Sequence, residues 1–202
     1  MTSNYEKIIR ENLTKIYDPS NEKNLEEWLP ARRSGRFHEF QAFGETCRIG
    51  PEEIILSGRP ERGSKGLIIS LYVFHAKPDP LILSPLKSFK DFPGSMPYQG
   101  AFVANSERPL VPYVVRAKAA TVKILEALHG KKEVPGTAGD FSFLLFPLPK
   151  IALAYIFYLP DEDFSPSVTC LFSANAPRFM PLDGLADVAE YTTRRIIELV
   201  EL

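Results

Sequence analysis

The chain is poor in the residues that most often announce chemistry. Its only cysteines, Cys47 and Cys170, stand far apart, so neither a disulfide framework nor a paired metal-binding motif is available. Its three histidines, His38, His75 and His129, fall in unrelated segments, which excludes an HExxH helix and an adjacent His pair. No GxSxG elbow, GxGxxG fingerprint or CxxC occurs. The glycines between Ser57 and Gly66 lack the Lys-Ser or Lys-Thr of a phosphate-binding loop. These absences remove particular enzyme classes; a site assembled from distant residues would leave no such local trace.

Charge of one sign is missing too. A net charge of −1 gives no field to draw in nucleic acid or an acidic membrane, so neither partner is expected. No apolar run reaches the length of a bilayer span, and charges interrupt the N-terminal stretch where a secretory signal would be apolar. Cytoplasmic residence is the expectation. Hydrophobic residues make up 45 % and charged ones 24 %, ordinary globular values that argue against long disorder. A length of 202 residues is enough for one substantial core, so a single domain is expected. The 18 prolines gather in the middle of the chain and imply long, shaped loops.

The residues present organise around Gly139–Phe164, where two apolar segments rich in aromatic and β-branched types flank Pro147-Leu148-Pro149. They predict an antiparallel hairpin over 141–158, with the Pro-Leu-Pro at its turn. Ahead of it, Tyr5, Ile8, Ile9, Leu13 and Ile16 share one helical face, with Ser3 and Glu6 placed as a capping box. A short second helix near Leu25–Leu29 and a basic loop at Arg32–Gly35 complete a helical N-terminal extension over 1–35. The loop arginines could bind an anion, although a solvated loop is the plainer reading. Alternation at Cys47 and Ile49 predicts a half-buried strand, with Glu53–Leu56 as its partner. Leu67–His75, apolar on every side, reads as a buried helix. Pro78–Phe102 reads as a long irregular connection with a short strand near Leu86–Phe89. Helical spacing returns over 110–128, ended by His129-Gly130 with Gly130 as the left-handed stop. Val168, Cys170 and Phe172 alternate as a further strand, and a last amphipathic helix starts at Pro181-Leu182-Asp183.

Few polar residues stand out as site candidates. Asp161-Glu162-Asp163 puts three carboxylates at the end of an apolar strand, where they could hold a hard cation or a cationic group. The plainer reading is a solvated turn capped by Asp. Asp140 is a turn residue or a polar group aimed at a cleft. Tyr98 and Glu107, in and just beyond the long connection, are placed to line a pocket or merely to pack. Phe89, Phe92, Tyr98 and Phe102 suggest a small aromatic core beneath that connection.

Several of these segments carry a resemblance. The order Ser88–Gly94, Tyr98–Phe102, Glu107–Leu110, Gly139-Asp140, Pro147–Pro149, Asp161–Phe164, Leu171-Phe172 and Met180-Pro181 resembles the uncharacterised prokaryotic family called domain of unknown function 3786. The resemblance covers about residues 67–202. It implies an origin among anaerobic bacteria or archaea and carries no established activity. Some members of that family have an additional cysteine-rich segment and are described as iron–sulfur proteins. Two distant cysteines cannot supply the usual four thiolates, so no iron–sulfur cluster is expected here. Ser173 and Asp183-Gly184 depart from the acidic residues of the family pattern, which would alter any site those acids form.

The reading is a single α+β domain, an antiparallel sheet centred on the 141–158 hairpin with amphipathic helices packed on it. Its function is expected to be that of a small-molecule- or cofactor-binding accessory protein, with Asp140, Asp161, Glu162, Asp163, Tyr98 and Glu107 as candidate binding residues. An enzyme using the clustered carboxylates for acid–base or metal chemistry is the alternative, and a protein-interaction domain a third. Ligand and oligomeric state are not written in the sequence.

Overall fold

The computed structural model describes residues 3–20, 24–132, 134 and 138–202. Helix α1 (Asn4–Ile16) starts where Ser3 Oγ accepts the Glu6 N–H at 3.2 Å; the Glu6 carboxylate turns to Arg10 at 3.1 Å, so half of the expected capping box forms. Its apolar stripe, Ile9, Leu13 and Ile16, is buried against α3 (Ser64–Phe74), which confirms the buried helix expected near Leu67–His75. A buried bond from Asn12 Nδ2 to Ser70 Oγ, 2.9 Å, fixes the pair. Leu25 of α2 (Leu25–Trp28) and Leu29 enter the same core, so the N-terminal segment is part of the main body.

Between α2 and α3 runs an antiparallel meander of β1 (Arg32–Ser34), β2 (Phe37–Ala42), β3 (Glu45–Ile49), β4 (Ile54–Leu56) and β5 (Arg59–Pro60). The basic segment expected as a loop is therefore partly an edge strand, paired Arg33 to His38. Two of its turns have two residues with positive φ, Phe43-Gly44 at 54° and 78° and Ser57-Gly58 at 48° and 78°. That geometry suits the twist of a hairpin. At Gly44 a side chain is also impossible because a Cβ would lie 2.0 Å from Ala127 O.

The second sheet has the order β6-β9-β8-β7, from β6 (Lys87–Ser88), β7 (Phe141–Leu148), β8 (Ile151–Tyr158) and β9 (Ser167–Phe172). The expected hairpin is β7–β8, but β7 is an edge strand and β8 an interior one. Pro147 lies inside β7, where the register shifts between Leu145 and Leu148, and the turn itself is Pro149-Lys150. An edge strand tolerates a missing N–H and a bulge, which is why the Pro-Leu-Pro run sits one step earlier than expected. The Phe43 N–H donates to Pro147 O at 2.7 Å and ties the two sheets together.

One face of the second sheet carries Phe143, Leu145, Leu153, Tyr155, Phe157, Cys170 and Phe172 into the main core. Helix α7 (Leu182–Glu201) meets it with Leu185, Val188, Ala189, Thr192 and Ile196. The opposite face carries Leu144, Ala152 and Ala154, covered by Val134 and by Leu81, Leu83 and Leu86 of the proline-rich connection. That connection is pinned by Asn175, whose Oδ1 accepts from Ile82 N at 2.9 Å and whose Nδ2 donates to Pro80 O at 2.8 Å.

The stretch after it is more helical than expected. It holds α4 (Met96–Phe102), a π-helical turn at Val103–Glu107, a 3-10 segment at Arg108–Tyr113, then α5 (Val114–Ala119) and α6 (Thr121–Ala127). Pro109 and Pro112 remove backbone donors, so the segment begins as 3-10 turns instead of one long helix. His129, not Gly130, takes the left-handed conformation at φ 51°. Gly130 serves close packing: a Cβ there would sit 2.6 Å from Leu145 Cδ2 and 2.9 Å from Leu144 O. Among the described residues no helix is long and apolar enough to cross a membrane.

Candidate functional site

The six residues singled out by the sequence divide between two places. Asp140 and the acidic turn lie at the β7–β8 end of the second sheet, where the carboxylates of Asp140 and Asp161 hold backbone. Asp140 Oδ2 accepts the Leu159 N–H at 2.7 Å, while its own N–H donates to Phe157 O at 2.9 Å. Asp161 Oδ1 accepts from Asp163 N at 2.9 Å and Phe164 N at 2.7 Å, an Asx turn that stops the chain after β8. Glu162 and Asp163 are exposed beside it. This end of the hairpin is accounted for by turn formation.

Tyr98 and Glu107 sit on the segment that folds over β9 and α7. Phe89 and Phe102 stack there at 4.5 Å between ring centroids, with Phe92 and Phe172 closing the cluster. Tyr98, expected in this small core, lies outside it and remains 43 % exposed, because α4 turns its ring toward α7 instead. The aromatic cluster is a fixed platform, and the π-helical turn Val103–Glu107 continues from it. Such turns insert one residue into a helix and are often found at functional sites.

The turn has two sides. Inward, Glu107 Oε1 accepts the Cys170 N–H at 2.9 Å, and Ser106 O accepts from Thr193 Oγ1 at 2.6 Å. The Tyr155 hydroxyl lies between Thr193 Oγ1 at 3.1 Å and Ala189 O at 3.2 Å. Burial pushes the Glu107 carboxyl up from its ordinary range, with the Cys170 N–H partly opposing this. It also pushes up Tyr155 and the Cys170 thiol, so at neutral pH both stay protonated. This layer fastens the turn to the sheet and to α7.

Outward, the same turn faces a groove of about 130 Å³ between α4 and α7. Tyr98, Ala101, Phe102 and Asn105 form one wall, and Asp183, Ala186, Asp187 and Glu190 the other. The three acids recur along α7 at i, i+4 and i+7, so one helical stripe presents all of them beside the buried stripe. Glu190 is partly neutralised, accepting from Asn105 Nδ2 at 3.0 Å and pairing closely with Arg194. Among the described residues Asp183 accepts only the neighbouring Gly184 N–H, at 2.9 Å. Asp187 has its carboxyl pushed up by partial desolvation, then by Glu190 and Asp183. Asn105, Asp187 and Glu190 were not among the expected site residues, and Asp183 was read as a helix start and, with Gly184, as a departure from the acidic pair of the family pattern. The helical spacing of the acids was the signal that could have found them.

Such a groove can accept a positively charged group with aromatic contact on one side. Among the described residues no three His, Cys, Asp or Glu side chains are placed to hold a metal ion. The fold and this groove together define an α+β domain with an acidic, aromatic-edged cleft beside its last helix. The chain belongs to the family described as domain of unknown function (DUF3786), whose model matches residues 24–195. The match begins well before Leu67, the start expected from the resemblance, and takes in the first sheet, which shares the main core. Neither a curated protein nor a solved structure matches the chain.

Proposed function

We propose that this protein is a cytoplasmic binding module that takes the cationic head group of a small organic molecule into the groove between α4 and α7. The observation that carries the reading is the convergence of Asp183, Asp187 and Glu190 on a cleft whose facing wall supplies Tyr98. Like charges crowded on one stripe repel one another, and a cation relieves that repulsion. Tyr98 adds a ring face worth about 0.5–1 kcal/mol at an exposed site. Each partly exposed ion pair adds about 0.2–1 kcal/mol. Contributions of that size come to at most about 4 kcal/mol together, so the site is a weak one, with a Kd of roughly 1 mM or above. The groove fits an alkylammonium or guanidinium head group and leaves the rest of the ligand outside. Two buried, free thiols agree with residence in a reducing compartment. The acid–base alternative loses its motive at the acidic turn, where Asp161 is engaged by backbone N–H groups.

Titration calorimetry at low salt with tetramethylammonium, putrescine and agmatine tests the proposal. At least one should bind, and Asp187→Asn and Tyr98→Ala should each weaken it about three- to tenfold. The double variant Asp161→Asn, Asp163→Asn should bind like the parent. Absence of binding by all three cations, or equal weakening in the double variant, would refute the reading.

A further inference from the structure

The basic segment near Arg33 is left unused by this groove, and it borders a cavity of its own. About 360 Å³ of space lies between the end of α1, α2 and the β1–β2 hairpin, lined by Tyr17, Leu25, Glu26, Arg33, Arg36 and His38 among others. Arg33 Nη1 approaches Glu26 Oε1 only to 3.8 Å, and its one hydrogen bond among the described residues runs from Nε to Gly35 O at 3.4 Å. Among the described residues its two Nη groups therefore have donors to spare. Arg36 is held from outside the cavity by Glu52 and Glu53, at 3.3 and 3.4 Å.

His38 is the more informative wall. The Tyr17 hydroxyl has one proton, and it goes to Ile49 O at 2.8 Å. The 3.1 Å contact between Tyr17 Oη and His38 Nδ1 must then be a bond donated by Nδ1–H. That fixes the tautomer. Nε2 of the neutral ring carries the lone pair and has no hydrogen-bond partner among the described residues. Protonation adds a donor at Nε2 without disturbing the bond to Tyr17.

We propose that this cavity is a proton-linked oxyanion site, in which Arg33, Arg36 and the imidazolium form of His38 hold the phosphate or sulfate group of a small molecule. Guanidinium donors suit a tetrahedral oxyanion geometrically as well as electrostatically. The space exceeds that of a bare anion, and Leu25 and Pro51 offer an apolar wall to an organic remainder. Among the described residues, the charged groups that line the cavity with the ring are Glu26 from α2, Arg33 from β1 and Arg36 from the turn; Tyr17 caps the end of α1 and the Ile49 carbonyl belongs to β3. Burial holds His38 below its ordinary range, opposed by Glu26 and assisted by Arg33. The ring is therefore neutral at pH 7 in the free protein, and a bound dianion raises it.

Sulfate is the probe, because it keeps its charge across the pH range in which His38 titrates. Calorimetric titration with sodium sulfate at constant ionic strength should give at least fivefold tighter binding at pH 5.5 than at pH 7.5. NMR titration of the histidine Cε1–H signals should show the His38 midpoint moving up with sulfate. Arg33→Gln, on an exposed edge strand, should abolish both effects. His38→Gln should leave binding that no longer depends on pH. Phenyl phosphate should bind more tightly than inorganic phosphate if the apolar wall takes part. Sulfate binding that ignores pH in the parent, or that survives Arg33→Gln unchanged, would overturn the proposal, as would an unmoved His38 midpoint.

Discussion

Two positions on β8 test how differently the faces of the second sheet are covered. Leu153 is fully buried in the main core, opposite Leu145 on one side and Phe172 on the other. Ile156, three residues on, faces the other way, opposite Ser142 and Thr169, and its Cγ2 would lie 2.6 Å from a Cβ at Gly139. Truncation to Ala removes three carbons in each case, about 2.4 kcal/mol of transfer free energy. At Leu153 the neighbours are interlocked aromatic and aliphatic side chains that cannot collapse, so a cavity of roughly 80 Å³ adds about 2 kcal/mol. At Ile156 the surroundings are small and polar and lie next to the sheet end, so water or local relaxation fills the space and the cavity contribution falls away. The expected losses are about 4 kcal/mol for Leu153→Ala and about 2 kcal/mol for Ile156→Ala. Urea denaturation followed by tryptophan fluorescence and far-UV circular dichroism gives both values, provided the m-value is unchanged. A larger loss at Ile156 than at Leu153, or losses near zero at both, would refute this account of the two faces.

Two further expectations concern buried titratable groups. Burial pushes the Cys47 thiol up to about 12, so at pH 8 only ~10⁻⁴ of it is thiolate, against roughly a quarter of an unperturbed thiol. Cys47 and Cys170 should therefore react with a disulfide reagent only at the rate of unfolding, and rapid labelling of either in the native protein would contradict their placement. Glu107 has a raised carboxyl pKa, so the native state holds its proton to higher pH than the unfolded chain does. The resulting stability is present at low pH and is lost as pH rises from the ordinary carboxylate value through the folded one. Glu107→Gln keeps an acceptor for Cys170 N–H and removes that loss. It should melt higher than the parent at pH 7 and no differently near pH 4, and a difference independent of pH would count against a desolvated carboxylate.

Where the sequence was a good guide, a strong period coincided with one buried face. The stripes of α1 and α7 and the alternation of β3 and β9 are of this kind, and each element lies where its pattern puts it. It was a poor guide where tertiary contacts set local geometry. Phe43-Gly44 is a hairpin turn with Phe at positive φ, a choice that local preference would give to Asn; the ring is buried against Tyr191, and that burial offsets the backbone cost. Pro147 reads as a strand breaker only if its strand is interior. On an edge it breaks nothing. The 96–102 stretch failed for the opposite reason: its proline and glycine suggest a loop, yet a short helix accommodates them once Phe89, Phe102 and Phe172 supply a platform.

The candidate site shows the same division more sharply. Three acids in a row at 161–163 attracted attention because they are adjacent in sequence, but residues following one another through a turn point in different directions. Asp161 is there because its carboxylate can take two backbone N–H groups at once. Acids at 183, 187 and 190 look dispersed, and on a helix they share a side. Adjacency in sequence does not put side chains on one face, since neighbours alternate in a strand and diverge in a turn; in a helix the 3.6-residue period does it. Tyr98 was legible as a pocket residue because it is a large ring in a proline- and glycine-rich stretch. Its partners were not, since they come from a helix whose pattern is fully explained by the core it buries. A second stripe beside the buried one adds nothing to that explanation, and such a stripe is where a helix can carry a binding surface without disturbing its packing.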